Sequence, residues 1–335
     1  MAEKQGTALA GVAGIPLAVV DQLAEIWLTT AEELVSAARQ VGGETSLVSY
    51  LGLPTEQVDA LVNAAMGALP DGVAFDEELI ELPLGALPIE NVASPDEEPA
   101  SFADLPEQAD LHGAMPAVRN QGGRSTCVAH AAAAVREFLT GASSTSADLS
   151  EQFLYWACKQ RDGRAAEGTW IEFAMAALRD TGVCPEKVWP YNKAVVAANE
   201  SQGPPPAGAQ ALAAPFKVLN TSKLEARWLQ GLKEALAAGQ PVAFSVSIFQ
   251  SWQSPWTFRN GDIRLPLPRE RDLGGHAMCM VGYADDDDVP GGGYFIVRNS
   301  WGEDFGREGK VAPGYCRLPY AYIQKYAWEA YTASM

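Results

Sequence analysis

The stretch from Gln121 to His130 reads Gln-Gly-Gly-Arg-Ser-Thr-Cys-Val-Ala-His, so a cysteine, Cys127, opens a run of apolar residues with helical spacing. Far downstream, His276 stands in Gly-His-Ala and Asn299 stands in Arg-Asn-Ser-Trp-Gly. A thiol, an imidazole and an amide in this order are the parts of a cysteine nucleophile, its base and the group that orients the base. The three blocks therefore predict a catalytic cysteine in a fold that brings them together.

The composition is that of an acidic globular protein of 335 residues, long enough for two domains of which one is large. The 42 Asp and Glu residues outnumber the 24 Lys and Arg residues, which gives a net charge of −18. Binding to nucleic-acid phosphates or to an anionic membrane surface needs clustered Lys and Arg, so we expect neither partner. The sequence also has no apolar run long enough to span a bilayer.

The first residues lack the features of a secretory signal, which needs a positive start and a small-x-small cleavage site. Glu3 offsets Lys4, and no good cleavage site follows the apolar stretch from Ala8 to Val20. We therefore expect a cytoplasmic protein.

The chain has five cysteines, namely Cys127, Cys158, Cys184, Cys279 and Cys316. An odd count fits one functional thiol plus four others, which are either buried and reduced or joined in two pairs. Cys279 lies in an apolar run and is expected in the core. The sequence leaves open whether Cys158 and Cys184 form a disulfide, since that depends on their separation in space.

Residues 1–70 have the pattern of a small helical module. The sequence from Thr30 to Glu33 is a capping box that opens a helix. Small helices joined by glycine-containing turns resemble helix-hairpin-helix or SAM-like folds, some of which bind DNA. Lys4 and Arg39 are the only basic residues of this segment, so we expect it to contact a protein partner or to assist folding instead.

Residues 71–104 are predicted to form an acidic, proline-rich linker or a propeptide-like segment. The stretch is rich in Asp and Glu and holds no Lys or Arg. Such a composition cannot bury enough apolar surface to order itself. One apolar island, from Leu79 to Ile89, could lie along the body of the protein, with the active-site cleft as one place for it.

Residues 105–335 carry the chemistry and change in pattern from helices to strands. Helices are predicted from Cys127, after the N-cap Ser150, over 170–179 and over 229–236, and strands over 241–248, 277–283 and 294–298. Residues 192–215 are rich in Ala, Pro and Gly and are predicted to form a surface insertion. Helices first and strands later favour an α+β domain with two halves and a cleft between them.

In several collinear motifs, residues 105–335 resemble the papain-like cysteine peptidase family, in its bacterial form. The motifs are Ala-Val-Arg-Asn-Gln-Gly at 117–122, Ser-Glu-Gln-Phe-Leu at 150–154, Trp-Pro-Tyr at 189–191 and the blocks around His276 and Asn299. The resemblance implies a two-lobed α+β fold, with a helical lobe and an antiparallel β lobe. Here the small all-α module precedes it.

The resemblance also implies roles for the residues that match the family's motifs. Cys127 would be the nucleophile, with its thiolate stabilised at a helix N-terminus. His276 would be the base that later protonates the leaving amine, and Asn299 would fix the orientation of its ring. Gln121 and the backbone N–H of Cys127 would form the oxyanion hole. Trp301 would shield the hydrogen bond between His276 and Asn299 from water.

Several other positions match the family less closely. Gly168 resembles the glycine that lets a substrate backbone approach the cleft wall. Arg124 stands where the family commonly has a cysteine, so the usual disulfide cannot form, which is typical of a reducing compartment. Val128 replaces the usual tryptophan, and His130 replaces an aromatic residue. We expect His130 to pack on the helix, with tuning of the site as the alternative. Residues 1–104 lack the long helical prodomain motif of the family's eukaryotic members.

The resemblance predicts an endopeptidase that forms and hydrolyses a thioester acyl-enzyme, with a peptide or one particular protein as its substrate. No cofactor is expected, and no metal site, because no pair of histidines stands at ligand spacing. A catalytically silent peptide-binding module and an acyl-transfer enzyme of the ligase or transglutaminase kind are the alternatives. Residues 71–104 would occlude the cleft or tether the enzyme, and cleavage near Leu105 would release it.

Overall fold

The computed structural model describes residues 4–70, 78–100, 104–141, 148–195 and 202–335. Parts of the linker predicted over 71–104 and of the insertion predicted over 192–215 therefore lie outside the described residues. In chain order, the structure consists of a helical module followed by a larger domain that contains helices and one sheet.

Residues 4–70 form four α-helices, which are α1 (Leu17–Ala24), α2 (Ala31–Arg39), α3 (Gly43–Leu51) and α4 (Thr55–Gly67). The predicted capping box is confirmed. The Thr30 hydroxyl accepts the Glu33 N–H at 3.3 Å, and the Glu33 carboxylate accepts the Thr30 N–H at 3.1 Å. Each helix turns apolar side chains into a shared core, so the module is a small folded unit.

The module packs against the larger domain through a second set of apolar contacts. Leu265 and Leu267 of the larger domain are buried in the module's core, and the Leu265 N–H donates to the Ile26 carbonyl at 3.0 Å. The Trp27 ring stacks on Tyr294, with ring centroids 6.3 Å apart. The two units therefore share one continuous apolar interface.

In the larger domain, a short strand β1 (Gln108–Asp110) comes before the helices. Its described helices are α5 (Cys127–Thr140), α6 (Glu151–Asp162), α7 (Ile171–Asp180), α8 (Ala209–Ala213), α9 (Leu229–Ala237), α10 (Pro255–Asn260) and α11 (Tyr320–Tyr326). The helices predicted at α5, α6, α7 and α9 are confirmed. Ser150 caps α6, because its hydroxyl accepts the Phe153 N–H at 3.0 Å.

The described part of the insertion predicted over 192–215 contains helix α8. Residues 210–212 of this helix are exposed, whereas Ala209 and Ala213 are fully buried against the core of the helical lobe. The composition of the segment did not indicate this buried face. Alanine side chains are small enough to let a helix pack closely against its neighbours, and the surrounding Pro and Gly residues conceal that face in the sequence.

Among the described residues, the sheet contains seven antiparallel strands in the order β2-β7-β3-β4-β5-β6, with β1 paired to β4. The strands after β1 are β2 (Asn220–Leu224), β3 (Val242–Phe249), β4 (Asp272–Asp285), β5 (Gly293–Arg298), β6 (Tyr315–Pro319) and β7 (Ala327–Ser334). The predicted strands are confirmed at β3, β4 and β5. β3 is buried along nearly its whole length, because both faces of the sheet are covered.

Two apolar cores lie on opposite faces of the sheet and define two lobes. The first core joins α5, α6 and α7 with one face, and the second joins α9 and α11 with the other. Helix α5 packs across β4, so the first turn of α5 lies where the two lobes meet. The predicted fold class, a two-lobed α+β domain preceded by a small all-α domain, is confirmed.

All five cysteines are described, and each is a buried free thiol. Cys158 and Cys184 therefore do not form the disulfide that the sequence leaves open. None of the helices formed by the described residues combines the length and the apolar character needed to cross a bilayer.

Phe244 of β3 tests the core of the β lobe. Its ring is fully buried, so Phe244→Ala should lower the free energy of unfolding by about 3–5 kcal/mol, because it removes apolar area and leaves a cavity. Leu219 is the matched control, since it is 71% exposed; Leu219→Ala should change the free energy of unfolding by less than about 0.5 kcal/mol. Urea unfolding followed by tryptophan fluorescence measures both. Equal losses would contradict the placement of Phe244 in the core.

Candidate active site

Cys127 lies in the first turn of α5, where backbone N–H groups have no partner within the helix. Its side chain is fully buried. Cys127 belongs to the same buried core as Ala277 of β4 and Ala86 of the segment before the domain. Because Ala277 directly follows His276, this packing of α5 against β4 brings the start of α5 to the middle of β4.

His276 of β4 and Asn299, just after β5, are in direct contact. The Nε2 atom of His276 lies 2.8 Å from Oδ1 of Asn299. The same Oδ1 atom accepts the Ser300 N–H at 2.7 Å, so it is an acceptor and Nε2 carries the proton. The Nδ1 atom of His276 is then the basic nitrogen. It is buried, with no hydrogen-bond partner among the described residues.

The ring of Trp301 covers the imidazole of His276. The two ring centroids are 4.5 Å apart and the planes are inclined by 23°. Trp301 is itself buried, with Phe258 and Phe305 against its ring. A hydrogen bond shielded from water is electrostatically stronger than an exposed one, so this stacking favours the contact between His276 and Asn299.

Gln121 connects the loop before Cys127 with the loop after Asn299. Its Oε1 atom accepts the Ser300 hydroxyl at 2.6 Å. Its Nε2 atom donates to the Arg124 carbonyl at 2.8 Å and to the Pro83 carbonyl at 3.1 Å. The side-chain amide therefore points into the cleft, where it holds a carbonyl from a segment that precedes the domain.

That segment, residues 78–100, crosses the cleft, and we call it the strap. On the side of the β lobe, the amides of Gly85 and Ala86 both donate to the Gly275 carbonyl at 3.1 Å. These residues belong to the apolar island that the sequence shows in the linker. The island therefore lies beside the loop that carries Cys127, since a Cβ atom at Gly85 would lie 2.3 Å from the Ser125 carbonyl oxygen.

On the side of the helical lobe, the strap pairs with a wall formed by Gly168 and Thr169. The Leu87 N–H donates to the Thr169 carbonyl at 3.0 Å, and the Thr169 N–H donates to the Gly85 carbonyl at 2.9 Å. Gly168 has a φ of +80°, and a Cβ atom there would lie 2.7 Å from the Gly85 carbonyl oxygen. Gly168 thus stands where a second backbone comes too close for a side chain.

The strap is also fixed away from the cleft. The Ile80 N–H donates to the Gln253 carbonyl at 3.0 Å, and the Gln253 side-chain amide donates to the Ile80 carbonyl at 3.2 Å. At the start of α9, the Glu98 carboxylate accepts the N–H groups of Leu229 and Gln230 at 3.0 and 2.6 Å. The strap therefore runs from the loop before α10 across the cleft to α9.

No sequence motif pointed to Lys159, the side chain that holds the cleft wall. Its buried Nζ atom donates to the carbonyls of Ala166 and Gly168 at 2.7 and 3.0 Å, and it pairs with Asp162 at 3.0 Å. Lysine is seldom buried unless it is paired. The one signal in the sequence is the Lys-x-x-Asp spacing over residues 159–162, in the polar last turn of α6.

A second polar contact ties this wall to the loop that carries the cysteine. The Ser125 hydroxyl donates to the Glu167 carboxylate at 2.6 Å. In the same loop, Arg124 donates to the Gln152 side chain at 2.7 Å and to the Asn192 carbonyl at 2.8 Å. Polar contacts therefore fix the loop at the position where Arg124 replaces a cysteine.

His130 lies one turn after Cys127 and has the contacts of a packed core histidine. Its Nδ1 atom lies 3.1 Å from the Thr126 carbonyl oxygen, and its ring meets Tyr191 edge-on with centroids 4.8 Å apart. Burial lowers the pKa of His130 to about 3, so it is neutral near pH 7. Across the described part of the chain, no three His, Cys, Asp or Glu side chains are grouped closely enough to hold a metal ion.

Burial sets the charge of the Cys127 and His276 side chains. It raises the pKa of the Cys127 thiol to about 11, although hydrogen bonding by backbone groups opposes the rise. It lowers the pKa of the His276 imidazole to about 4, against the hydrogen bond to Asn299. At neutral pH both groups are therefore uncharged while the strap covers them.

The larger domain is similar in sequence to known proteins. A family model described as papain family cysteine protease matches residues 105–322. An uncharacterized peptidase C1-like protein of Acanthamoeba polyphaga mimivirus is 26% identical over 215 residues, which are 61% of this chain and 64% of that protein. The cathepsin B-like CP3 of Giardia intestinalis is 28% identical over 200 residues, which are 58% of this chain and 63% of that protein. The chain thus spans slightly less than two thirds of each of these curated relatives.

The fold is also similar to solved structures. Xylellain, a cysteine protease from Xylella fastidiosa, superposes with a TM-score of 0.61 at 26% identity, over 77% of this chain and 98% of that chain. The digestive procathepsin L 3 of the Tenebrio molitor larval midgut superposes with a TM-score of 0.53 at 20% identity, over 75% of this chain and 76% of that chain. The second similarity shows the fold alone.

Alkylation of Cys127 tests the closed, uncharged state of the cleft. Iodoacetamide reacts with thiolates, and a thiol with a pKa of about 11 ionises about tenfold more for each pH unit across the neutral range. In the intact chain we expect slow alkylation near neutral pH and a rate that keeps rising with pH, without a plateau near neutrality. Intact-mass measurements give the rate, and Cys127→Ser corrects for the other buried thiols.

A variant with an open cleft is the control for this pH profile. A Cβ atom at Gly85 would overlap the Ser125 carbonyl, so Gly85→Val should displace the strap. Water would then stabilise the thiolate, the pKa of Cys127 would fall, and the rate of alkylation should level off at lower pH. Identical pH profiles for the two proteins would contradict burial by the strap as the cause of the raised pKa.

Proposed function

We propose that the chain, which belongs to the papain family of cysteine proteases, is an endopeptidase that keeps its own cleft closed until the strap is displaced. The observation that carries the proposal is the contact of 2.8 Å between His276 and Asn299, with Trp301 stacked on the imidazole. Cys127 opens α5, which packs against β4, the strand of His276. A nucleophile, its base and an orienting amide are the parts that acyl transfer from a peptide requires.

With the strap away, acylation follows from the positions of these groups. The thiol proton of Cys127 passes to Nδ1 of His276, and the start of α5 stabilises the thiolate. The sulfur attacks the substrate carbonyl carbon, and the oxyanion accepts hydrogen bonds from the Cys127 N–H and the Gln121 side-chain amide. The imidazolium then gives its proton to the leaving amine as the C–N bond breaks, and a thioester remains on Cys127.

Hydrolysis of the thioester completes the cycle. Nδ1 of His276 takes a proton from a water molecule, whose oxygen attacks the thioester carbonyl carbon. The tetrahedral intermediate expels the sulfur of Cys127, which recovers the proton from His276. Throughout, Asn299 holds the Nε2–H group of the ring, so the basic nitrogen keeps facing the reacting atoms.

The strap supports self-inhibition because it occupies the polar groups that a substrate would use. The N–H groups of Gly85 and Ala86 both take the Gly275 carbonyl. The Gln121 side-chain amide and the Trp301 indole N–H donate to the Pro83 carbonyl at 3.1 and 3.3 Å. The Gln121 amide proposed for the oxyanion hole is therefore already occupied. The strap is thus bound but not cut, as a propeptide-like inhibitor that a cleavage near its end would release.

The groups that hold the strap also indicate the substrate class. Thr169 and Gly275 offer backbone donors and acceptors to an extended chain, so an extended peptide segment is the substrate that fits. A protease that closes its own cleft suits limited processing of one protein partner better than continuous digestion. Five free thiols fit a reducing compartment, which supports a cytoplasmic location.

Gly85→Val tests this function without altering any proposed catalytic residue. Displacement of the strap should raise kcat/KM for an unstructured peptide by at least about tenfold over the intact chain, because the competent state becomes more populated. Gly113→Val is the matched control, since a Cβ atom at Gly113 would meet nothing within 4 Å. Adding Cys127→Ala to Gly85→Val should abolish turnover.

Each other outcome of that experiment contradicts a part of the proposal. Equal kcat/KM for the intact chain and Gly85→Val would show that the strap does not inhibit. No product from Gly85→Val, despite rapid alkylation of Cys127, would indicate a silent peptide-binding module. An amide product formed with an added amine, instead of the carboxylate, would indicate acyl transfer. Mass spectrometry separates these products.

Lys159→Met tests whether the cleft wall binds the substrate backbone. Loss of the ammonium group frees the carbonyls of Ala166 and Gly168, so the wall should hold a peptide less well. In the Gly85→Val background, KM should rise about tenfold, as expected for a loss of roughly 1.4 kcal/mol, with a smaller change in kcat. Lys159→Arg should restore part of the affinity. A fall in kcat with an unchanged KM would contradict this role.

A further inference from the structure

The helical module contacts the catalytic domain at a surface that is separate from the cleft. At its centre, Trp27 is almost fully buried and adopts a φ of 59°, a backbone conformation that a bulky residue rarely takes. The Lys4 ammonium lies 4.1 Å and the Arg317 guanidinium 5.2 Å from the centre of the indole, and we call these three residues the Trp27 cluster. The face of the same ring stacks on Tyr294 of β5.

Both cations of the Trp27 cluster are neutralised by buried carboxylates. Lys4 pairs with Glu33 of α2 at 2.5 Å and also donates to the Trp27 carbonyl. Arg317 of β6 forms a two-pronged ion pair with Asp262 at 2.7 and 2.9 Å. Charges that are buried and paired in this way are costly to separate, because each partner would be left uncompensated.

Apolar contacts and hydrogen bonds surround the Trp27 cluster. Leu265 and Leu267 are buried in the core of the module, so separation would expose that core to water. On the side nearer the cleft, the hydroxyls of Ser36 and Ser254 are 2.5 Å apart, and Gln250 donates to the Val41 carbonyl at 3.4 Å. The interface thus combines buried ion pairs and buried apolar side chains with polar contacts from Ser254 and Gln250.

The strap is held in a different way. Its cleft-crossing part is fixed mainly by backbone hydrogen bonds to Gly275 and Thr169, and its side chains are largely half-buried or exposed. None of the residues in the Trp27 cluster belongs to the strap. Loss of the strap would therefore leave the interface of the module intact.

We propose that the helical module stays docked after the strap has been cut and remains a permanent part of the mature enzyme. The proposal rests on the proposed function only in taking the strap as the part that must leave. The module then acts as a lasting support for the loop from Gln250 to Trp256, and the strap alone is the removable inhibitor.

The supported loop reaches the candidate active site through aromatic contacts. Trp252, in this loop, packs edge-on against Trp301 with ring centroids 6.1 Å apart, and Trp301 stacks on His276. Ser254 and Gln250, from the same loop, contact the module. The module thus positions Trp301, and through it the imidazole, without touching a substrate.

Cutting the full chain between module and strap tests the docking directly. In Cys127→Ala, which prevents self-cleavage, a recognition sequence for an unrelated site-specific protease is inserted within residues 71–77 and cut. The two fragments should coelute in size-exclusion chromatography at micromolar concentration. Trp27→Ala and Leu265→Ser, one on each side of the interface, should each weaken the association at least tenfold. Leu17→Ala, at an exposed position of α1, should not.

Separation of the unmutated fragments under these conditions would overturn the proposal. Because this readout needs no catalysis, it stands even where the proposed peptidase activity fails. In active Gly85→Val protein cut at the same place, Leu265→Ser should lower kcat at least threefold as the module dissociates, with KM changed less. An unchanged kcat after loss of the module would overturn its role in positioning Trp301.

Discussion

The packing of helix α5 against strand β4 is the constraint on which the rest of the structure depends. It brings the first turn of α5, with Cys127, to the middle of β4, with His276, although the two are far apart in the chain. The helical core behind α5 and the sheet behind β4 hold the two elements in place. Asn299, just after the neighbouring strand β5, then orients the imidazole of His276.

The same burial that positions these groups also suppresses their charges. A thiolate and an imidazolium attract each other, but each must give up water to enter a dry cleft, and desolvation dominates while the strap is in place. Trp301, which stacks on the imidazole of His276, also keeps water from this ring and so disfavours its charged form. In the closed protein the thiol and the imidazole are thus both neutral, and in the proposed open state water would supply the solvation that charge separation needs.

The sequence predicts the parts of this molecule whose causes are local. The caps at Thr30 and Ser150 act within one turn, so neighbouring residues alone decide them. The catalytic motifs are recognisable because each brings its own flanking residues. Strand β7 and the strap form backbone pairs with residues that are distant in the chain, and no periodic pattern in the sequence predicts those pairs. The same holds for Lys159, whose two carbonyl acceptors are near it only once the wall has folded.

The strap is anchored on both sides of the cleft, by Ile80 at one edge and by Glu98 at the other. In the proposed self-inhibition, inhibitor and target are one molecule, and their encounter is governed by an effective molarity in about the millimolar range or above. Dilution does not weaken such a block, in contrast to a separate inhibitor protein whose occupancy falls with its abundance. Under this proposal the chain would be silent at any expression level, and its activation would depend on cleavage of the chain and not on the amount of a second protein.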